Sequence, residues 1–195
     1  MRAGLAILAA VATAGAGAAS AQVEDHATCM ARAIALFEDE ATRIEPPLAR
    51  TDLAALRPDR VETCGLGAIV LCDLSDDRVP CQRALAGEQA ALTEAVLAAA
   101  PPPEDLAGRD GHWSDGLYPV LWALGHGSSA GPDCEGSTEM MAAWCDTREE
   151  SRRLAGAVTL WQLARLLGGA EPALEAGWIG PPPPPRPEPR PAATE

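Results

Sequence analysis

Lysine is absent from this 195-residue chain: every one of its 15 basic side chains is arginine, set against 28 Asp and Glu, for a formal net charge of −13. Without Lys there is no phosphate-binding loop of the G-x-x-x-x-G-K-[ST] kind, and so acidic a surface repels nucleic acid and anionic lipid. Histidine is nearly as scarce: the three, His26, His112 and His126, form no H-E-x-x-H zinc helix. No G-x-S-x-G occurs, which removes the strained nucleophile turn of one large hydrolase class. No C-x-x-C occurs either, and no histidine stands beside a cysteine, which argues against a zinc or dithiol centre. With one Tyr and one Phe the core must rely on aliphatic side chains and on five Trp, all from residue 113 onward. That bias predicts an aromatic core in the C-terminal half rather than a sugar-binding platform.

Six cysteines stand against these absences, and they follow a secretory leader. Met1 and Arg2 precede an apolar run from Ala3 to Ala19, which closes on Ala19-Ser20-Ala21, an A-x-A processing site. Removal of residues 1–21 is expected to expose Gln22, and since no cysteine stands there, no lipid anchor is expected. No later segment is apolar for long enough to span a bilayer. The expectation is a periplasmic or secreted protein with no stable membrane insertion after leader cleavage. In that oxidising setting the cysteines are expected to form disulfides. Sequence alone does not select among the pairings. Proximity favours Cys29 with Cys64, Cys72 with Cys81, and Cys134 with Cys145.

Residues 22–179 are long enough for one domain with a real core. From residue 180 the chain becomes Pro-rich, with arginine and glutamate between prolines, a composition that favours extended polyproline II in a tail over residues 180–195. The body reads as all-α. Met30, Ile34, Phe37 and Ala41 recur at helical spacing between Thr28 and about Ile44, ahead of Pro46-Pro47. A second helix starts after Asp77, tolerates Pro80 in its first turn, and carries Cys81, Ala84, Leu85, Leu92, Val96 and Leu97 to the stop at Pro101-Pro102-Pro103. A third starts near Ser137 and runs through Met140, Met141, Trp144, Val158, Trp161 and Leu166 to Gly168-Gly169. Between them, Asp59 to Cys72 is compatible with a helix or, at Ala68-Ile69-Val70-Leu71, a buried strand. Asp110-Gly111 and Asp115-Gly116 predict turns around His112 and Trp113, and Leu117 to Leu124 a short helix interrupted at Pro119.

Candidate chemistry is sparse. Gly125-His126-Gly127-Ser128-Ser129 places a histidine beside hydroxyls, but a nucleophile also needs a base within reach and an oxyanion site, and a loop histidine is the simpler reading. Asp73, Asp76 and Asp77 lie inside the expected Cys72–Cys81 loop. They lack the alternating oxygens, central Gly and terminal Glu of an EF-hand, so a solvated acidic turn is expected rather than a calcium site. No cofactor and no metal are expected.

Cys134-Glu135-Gly136-Ser137-Thr138-Glu139-Met140-Met141-Ala142-Ala143-Trp144-Cys145-Asp146-Thr147-Arg148, followed by Arg152-Arg153-Leu154, resembles the C-terminal part of exported LprI-type lysozyme inhibitor domains. There too a Cys, a Gly-Ser turn, a Met, a second Cys and a Thr-Arg precede another Arg and Leu. The family's Trp followed closely by a Tyr-Arg-Asp-like segment and a cysteine has no counterpart, since Trp113 lies well upstream of Cys134. The resemblance implies a helical exported module without chemistry of its own that binds a lysozyme or a related envelope protein. An acidic chain would be steered towards a basic lysozyme. Asp133, Glu135 and Glu139 are the candidate partner-binding carboxylates, although acids at a helix start also serve the macrodipole. The competing expectations are an envelope assembly module and a small periplasmic hydrolase using His112 and His126.

Overall fold

The computed structural model describes residues 24–127, 134 and 136–184, and within them the chain is helical with no strand. Six α-helices follow in order: α1 His26–Ala41, α2 Pro58–Asp73, α3 Arg78–Ala99, α4 Pro103–Leu106, α5 Tyr118–His126 and α6 Glu139–Leu166. A 3₁₀ turn at Asp52–Ala55 precedes α2, and a π-helical turn at His112–Leu117 leads into α5. Residues 1–23, which include the expected leader, and residues 185–195 of the expected Pro-rich tail lie outside the described residues.

Local chemistry accounts for the helix ends. The Asp25 carboxylate caps α1 by accepting from the Thr28 amide at 2.9 Å, and the Thr138 hydroxyl caps α6 by accepting from the Met141 amide at 3.3 Å. α1 stops at Ala41, short of Ile44, where the Thr42 hydroxyl bonds the Asp39 carbonyl at 2.8 Å. Pro58 opens α2, and the run 68–71 is part of that helix rather than a strand. Pro119 does not interrupt α5. It occupies the first turn, where its missing N–H has no helical partner to lose. α6 ends in a glycine-dependent lock: Gly168, at φ 69°, donates to the Arg165 carbonyl at 3.0 Å while Gly169 donates to Ala164 at 2.9 Å.

α3 and α6 run side by side in the same direction. Thr147 donates to the Gln82 carbonyl at 2.8 Å near their starts, and towards their ends Leu97 and Leu160 both flank Gly125. α2 lies antiparallel against the pair, since Ile69 meets Gln82 while Gly65 meets Gln89 and Ser151. Gly65 permits this approach: a Cβ there would fall 1.9 Å from the Ser151 hydroxyl. α1 crosses α2 and reaches the far end of α6, where Glu38 accepts from Arg165 at 3.2 Å and from the Ala173 amide at 3.1 Å.

The main core gathers at that end. Trp161 is fully buried and meets Phe37 edge-on at 5.5 Å and Trp178 at 4.9 Å, with Met30, Ile34, Val158, Leu160 and Leu163 around them. The late tryptophans thus include packing residues, and α1 supplies the phenylalanine that meets Trp161. A smaller core of Ala68, Ile69, Cys72 and Leu85 lies beneath Cys81 and Trp144 at the other end. Between the two runs a buried polar seam of Gln82, Gln89, Thr93, Thr147 and Ser151. The inward face of α3 is therefore Gln82, Leu85, Gln89, Thr93 and Val96, while Ala84 is exposed and Leu92 and Leu97 are half-buried.

All three pairs favoured by proximity are disulfides: Cys29–Cys64, Cys72–Cys81 and Cys134–Cys145, with Cα separations of 5.6, 5.3 and 6.6 Å. The first spans 35 residues and fixes α1 to α2; the others span 9 and 11. Chain entropy predicts that Cys29→Ala with Cys64→Ala costs about 4 kcal/mol and Cys72→Ala with Cys81→Ala about 2.5 kcal/mol. Urea unfolding of the two double variants checks that order.

His26 opens α1 and is buried, with no hydrogen-bond partner for Nε2 among the described residues. Burial lowers its pKa, against the opposing pull of Glu88 and Asp25. The unfolded chain therefore takes up this proton first, at about pH 6.5. The stabilising contribution is complete above that pH and is lost as pH falls below it towards the folded-state value. His26→Gln is expected to flatten the decline in melting temperature between about pH 7 and pH 5, measured by circular dichroism at matched ionic strength.

Candidate functional site

The start of α6, the start of α3 and the end of α2 meet at one end of the molecule and enclose an open groove of about 410 Å³. It is lined by Asp73, Arg78, Met140, Met141 and Trp144. The folding logic is local. The Cys72–Cys81 bridge closes the α2–α3 turn, so Asp73 and Arg78 are held across it. The Cys134–Cys145 bridge fixes the approach to α6, whose first two turns carry Met140, Met141 and Trp144. Trp144 rests on the smaller core. Met141 remains 49% exposed, and Leu74, in the turn between α2 and α3, is 77% exposed. Flexible thioethers beside an indole make an adaptable apolar surface, and Trp with Arg is the pairing enriched where protein partners bind most strongly.

The charges divide unequally. Asp73 is half-buried and accepts from the Gln82 amide at 3.0 Å, so it is already engaged. Arg83 pairs with Glu139 at 2.9 Å, both exposed. The Arg148 guanidinium lies 5.4 Å from the centre of the Trp144 ring. Arg78 is exposed and has no ion pair among the described residues. It is the first residue of α3, whose N-cap is Asp77, a carboxylate that makes no capping hydrogen bond but sets its negative charge at the positive helix end. The groove thus carries one carboxylate, Asp73, and one guanidinium, Arg78, with exposed Asp76 and Asp77 directly before it in the chain.

Of the three carboxylates expected to bind a partner, Glu139 is the one within the described residues; Asp133 and Glu135 lie outside them. Glu139 is the first residue of α6 and pairs with Arg83 across to α3. Residue pattern alone does not single out Arg78, Asp73, Met140, Met141 and Trp144 as a site, because the groove joins segments from two parts of the chain. The unbroken pair Met140-Met141 at a helix start, one of them necessarily turned to solvent, was the available signal.

The histidines sit elsewhere. His126 stacks on Trp122 at 3.9 Å between ring centres, with Nδ1 3.0 Å from the Trp122 carbonyl. His112 packs edge-on to Trp113 at 4.8 Å. Neither ring contacts a hydroxyl or thiol among the described residues; Ser128 and Ser129 lie outside them. Around His112 the hydrogen bonds are architectural. Asp115 accepts from the Gly108 amide at 2.8 Å and from Ser114 at 3.0 Å, which holds its pKa below the usual value, and Trp113 donates to the Leu48 carbonyl at 3.0 Å. Burial raises the pKa of Tyr118, whose hydroxyl donates to the Pro101 carbonyl at 2.6 Å. No group of three or more His, Cys, Asp or Glu suited to a metal occurs among the described residues, and Asp76 and Asp77 are exposed.

A second, almost wholly apolar groove of about 360 Å³ lies at the opposite end, between α1 and the C-terminal segment, and includes Ile34, Ala35, Ala173, Leu174, Ile179 and Pro182. No family model, curated protein or solved structure matches the chain.

Because Glu139 and Arg83 are both exposed, their pair contributes little. Glu139→Gln is expected to change unfolding free energy by less than about 1 kcal/mol, the combined scale of an exposed ion pair and a helix-end charge. Chemical denaturation at low and high salt checks this.

Proposed function

We propose that this chain is an exported, non-catalytic binding protein that acts on a basic cell-wall-active enzyme, in the manner of a lysozyme inhibitor. The observation that carries the reading is the Met140–Met141–Trp144 groove. It is the apolar, charge-rimmed surface built on the segment that resembles LprI-type domains, and it is braced by two disulfides. Export is supported by the leader-like sequence and by three disulfides with no free cysteine among the described residues. No helix among those residues is long and apolar enough to cross a membrane. The acidic surface supplies long-range attraction to a basic partner, and the groove supplies short-range contact.

An envelope assembly module is the second reading. It is favoured by α5, which leaves Val120 54% and Leu124 72% exposed on one short helix.

The test is lysis of cell-wall substrate by several lysozyme types with excess purified protein at low salt. At least one type is expected to be inhibited. Raising ionic strength to about 0.15 M is expected to slow association about tenfold, because screening then shortens to about 8 Å. Replacing Asp133, Glu135 and Glu139 by Asn, Gln and Gln is expected to slow association further while leaving the melting temperature nearly unchanged. Undiminished lysis by every type at low salt removes the inhibitor reading and leaves the assembly module.

A further inference from the structure

We infer that Met141, with Met140 beside it, is a modification site: hydrogen peroxide converts these thioethers to sulfoxides, and the change disables the groove they line. The inference rests on the inhibitor reading and names how that groove is regulated.

It starts from what the fold leaves open to an oxidant. A free thiolate is the usual target of peroxide in a protein, and here there is none, because all six cysteines are in disulfides. Two-electron oxidation then falls on thioether sulfur. The chain has four methionines. Met1 belongs to the expected leader. Met30 is 0% exposed, in the main core with Ile34 and Phe37, so peroxide reaches its sulfur only when the domain opens. Met140 is half-buried and Met141 is 49% exposed. The two thioethers that solvent reaches are thus the two that line the groove.

The reaction balances with peroxide alone. The sulfur lone pair attacks one peroxide oxygen, an S–O bond forms as the O–O bond breaks, and sulfur gives up two electrons. The departing hydroxide takes the proton of the transferred oxygen and leaves as water. A polarisable side chain that adapts to apolar contact becomes a polar one with a strong acceptor oxygen, which must be desolvated when a partner covers it. Met140 and Met141 are, with Trp144, the apolar part of a lining whose other residues are Asp73 and Arg78. Oxidation of both leaves Trp144 as the one apolar side chain of that lining. No charge changes, so long-range steering is untouched and the loss falls on short-range contact. Neither methionine belongs to either apolar core, so the fold is kept.

Purified full-length protein is treated with hydrogen peroxide at neutral pH, freed of it with catalase, and used in the lysis assay at low salt. Peptide mass spectrometry is expected to show one added oxygen at Met141 first and at Met140 next, with Met30 unmodified and the circular dichroism spectrum unchanged. The oxidised protein is expected to inhibit the responsive lysozyme type about tenfold less strongly, the scale of one buried apolar side chain. Met140→Leu with Met141→Leu keeps the apolar surface and removes the sulfur, so it is expected to inhibit as the wild type does and to be indifferent to peroxide. Oxygen gain at Met30 as fast as at Met141, undiminished inhibition by the oxidised protein, or an equal loss in the double-leucine variant overturns the inference and leaves the inhibitor reading standing. Untreated protein that inhibits no lysozyme type overturns both.

Discussion

Two long helices running in the same direction set the terms for everything else in this molecule. A chain that leaves the end of α3 must travel back about 33 Å, the length of a 22-residue helix, before it can begin α6 beside the start of α3. Residues 100–138 are that return path. Its described part contains α4, the π-helical turn and α5, and α5 packs on α6 where Gly125 leaves room for Leu97 and Leu160. α2 then fills the remaining side of the pair, admitted at its closest point by the missing side chain of Gly65. Because α3 and α6 start together, whatever their first turns carry is gathered at one end. That is why Arg78 and Met140, 62 positions apart in the chain, line one groove.

The two ends differ in what holds them. At the end of α6, stability comes from aromatic and aliphatic burial around Trp161, reinforced by Glu38 binding both Arg165 and the Ala173 backbone. At its start, the apolar cluster is small, and two short-range disulfides supply the constraint that burial does not. The polar seam between them follows a heptad-like rhythm along α3, with Gln82 and Gln89 at positions where leucine is usual. Gln82 partly meets the cost of burial by donating to the Ile69 carbonyl and to Asp73.

Much of the architecture was legible from residues alone. Capping and stopping residues located α1, α3 and α6 to within a few positions, and short sequence separation was enough to pair the cysteines. Three features were not legible, for physical reasons. Apolar spacing alone does not find the inward face of α3, because that face includes Gln82, Gln89 and Thr93; Gln82 and Thr93 donate to neighbouring backbone, while the Gln89 amide has no partner among the described residues. The run Ala68-Ile69-Val70-Leu71 has the same composition in a buried strand as in a helix, and only packing against α3 and α6 decides. The groove depends on tertiary contacts between the α2–α3 turn and α6, which no local motif records. Glu139, chosen from a linear segment, directly precedes the groove residues of α6 and is paired with Arg83.

Parallel alignment of α3 and α6 also has an electrical consequence. In an antiparallel pair the two peptide macrodipoles oppose each other, whereas here they add, and α2 cancels only one of them. Each of the two places a partial positive charge at the groove end and a partial negative one by the tryptophans, and α2, running the other way, offsets part of it. The backbone therefore gives this acidic chain a dipole component along α3 and α6 that does not depend on its surface side chains. In solution such a molecule turns in the field of an approaching charged body before contact, and dielectric relaxation would register the rotation.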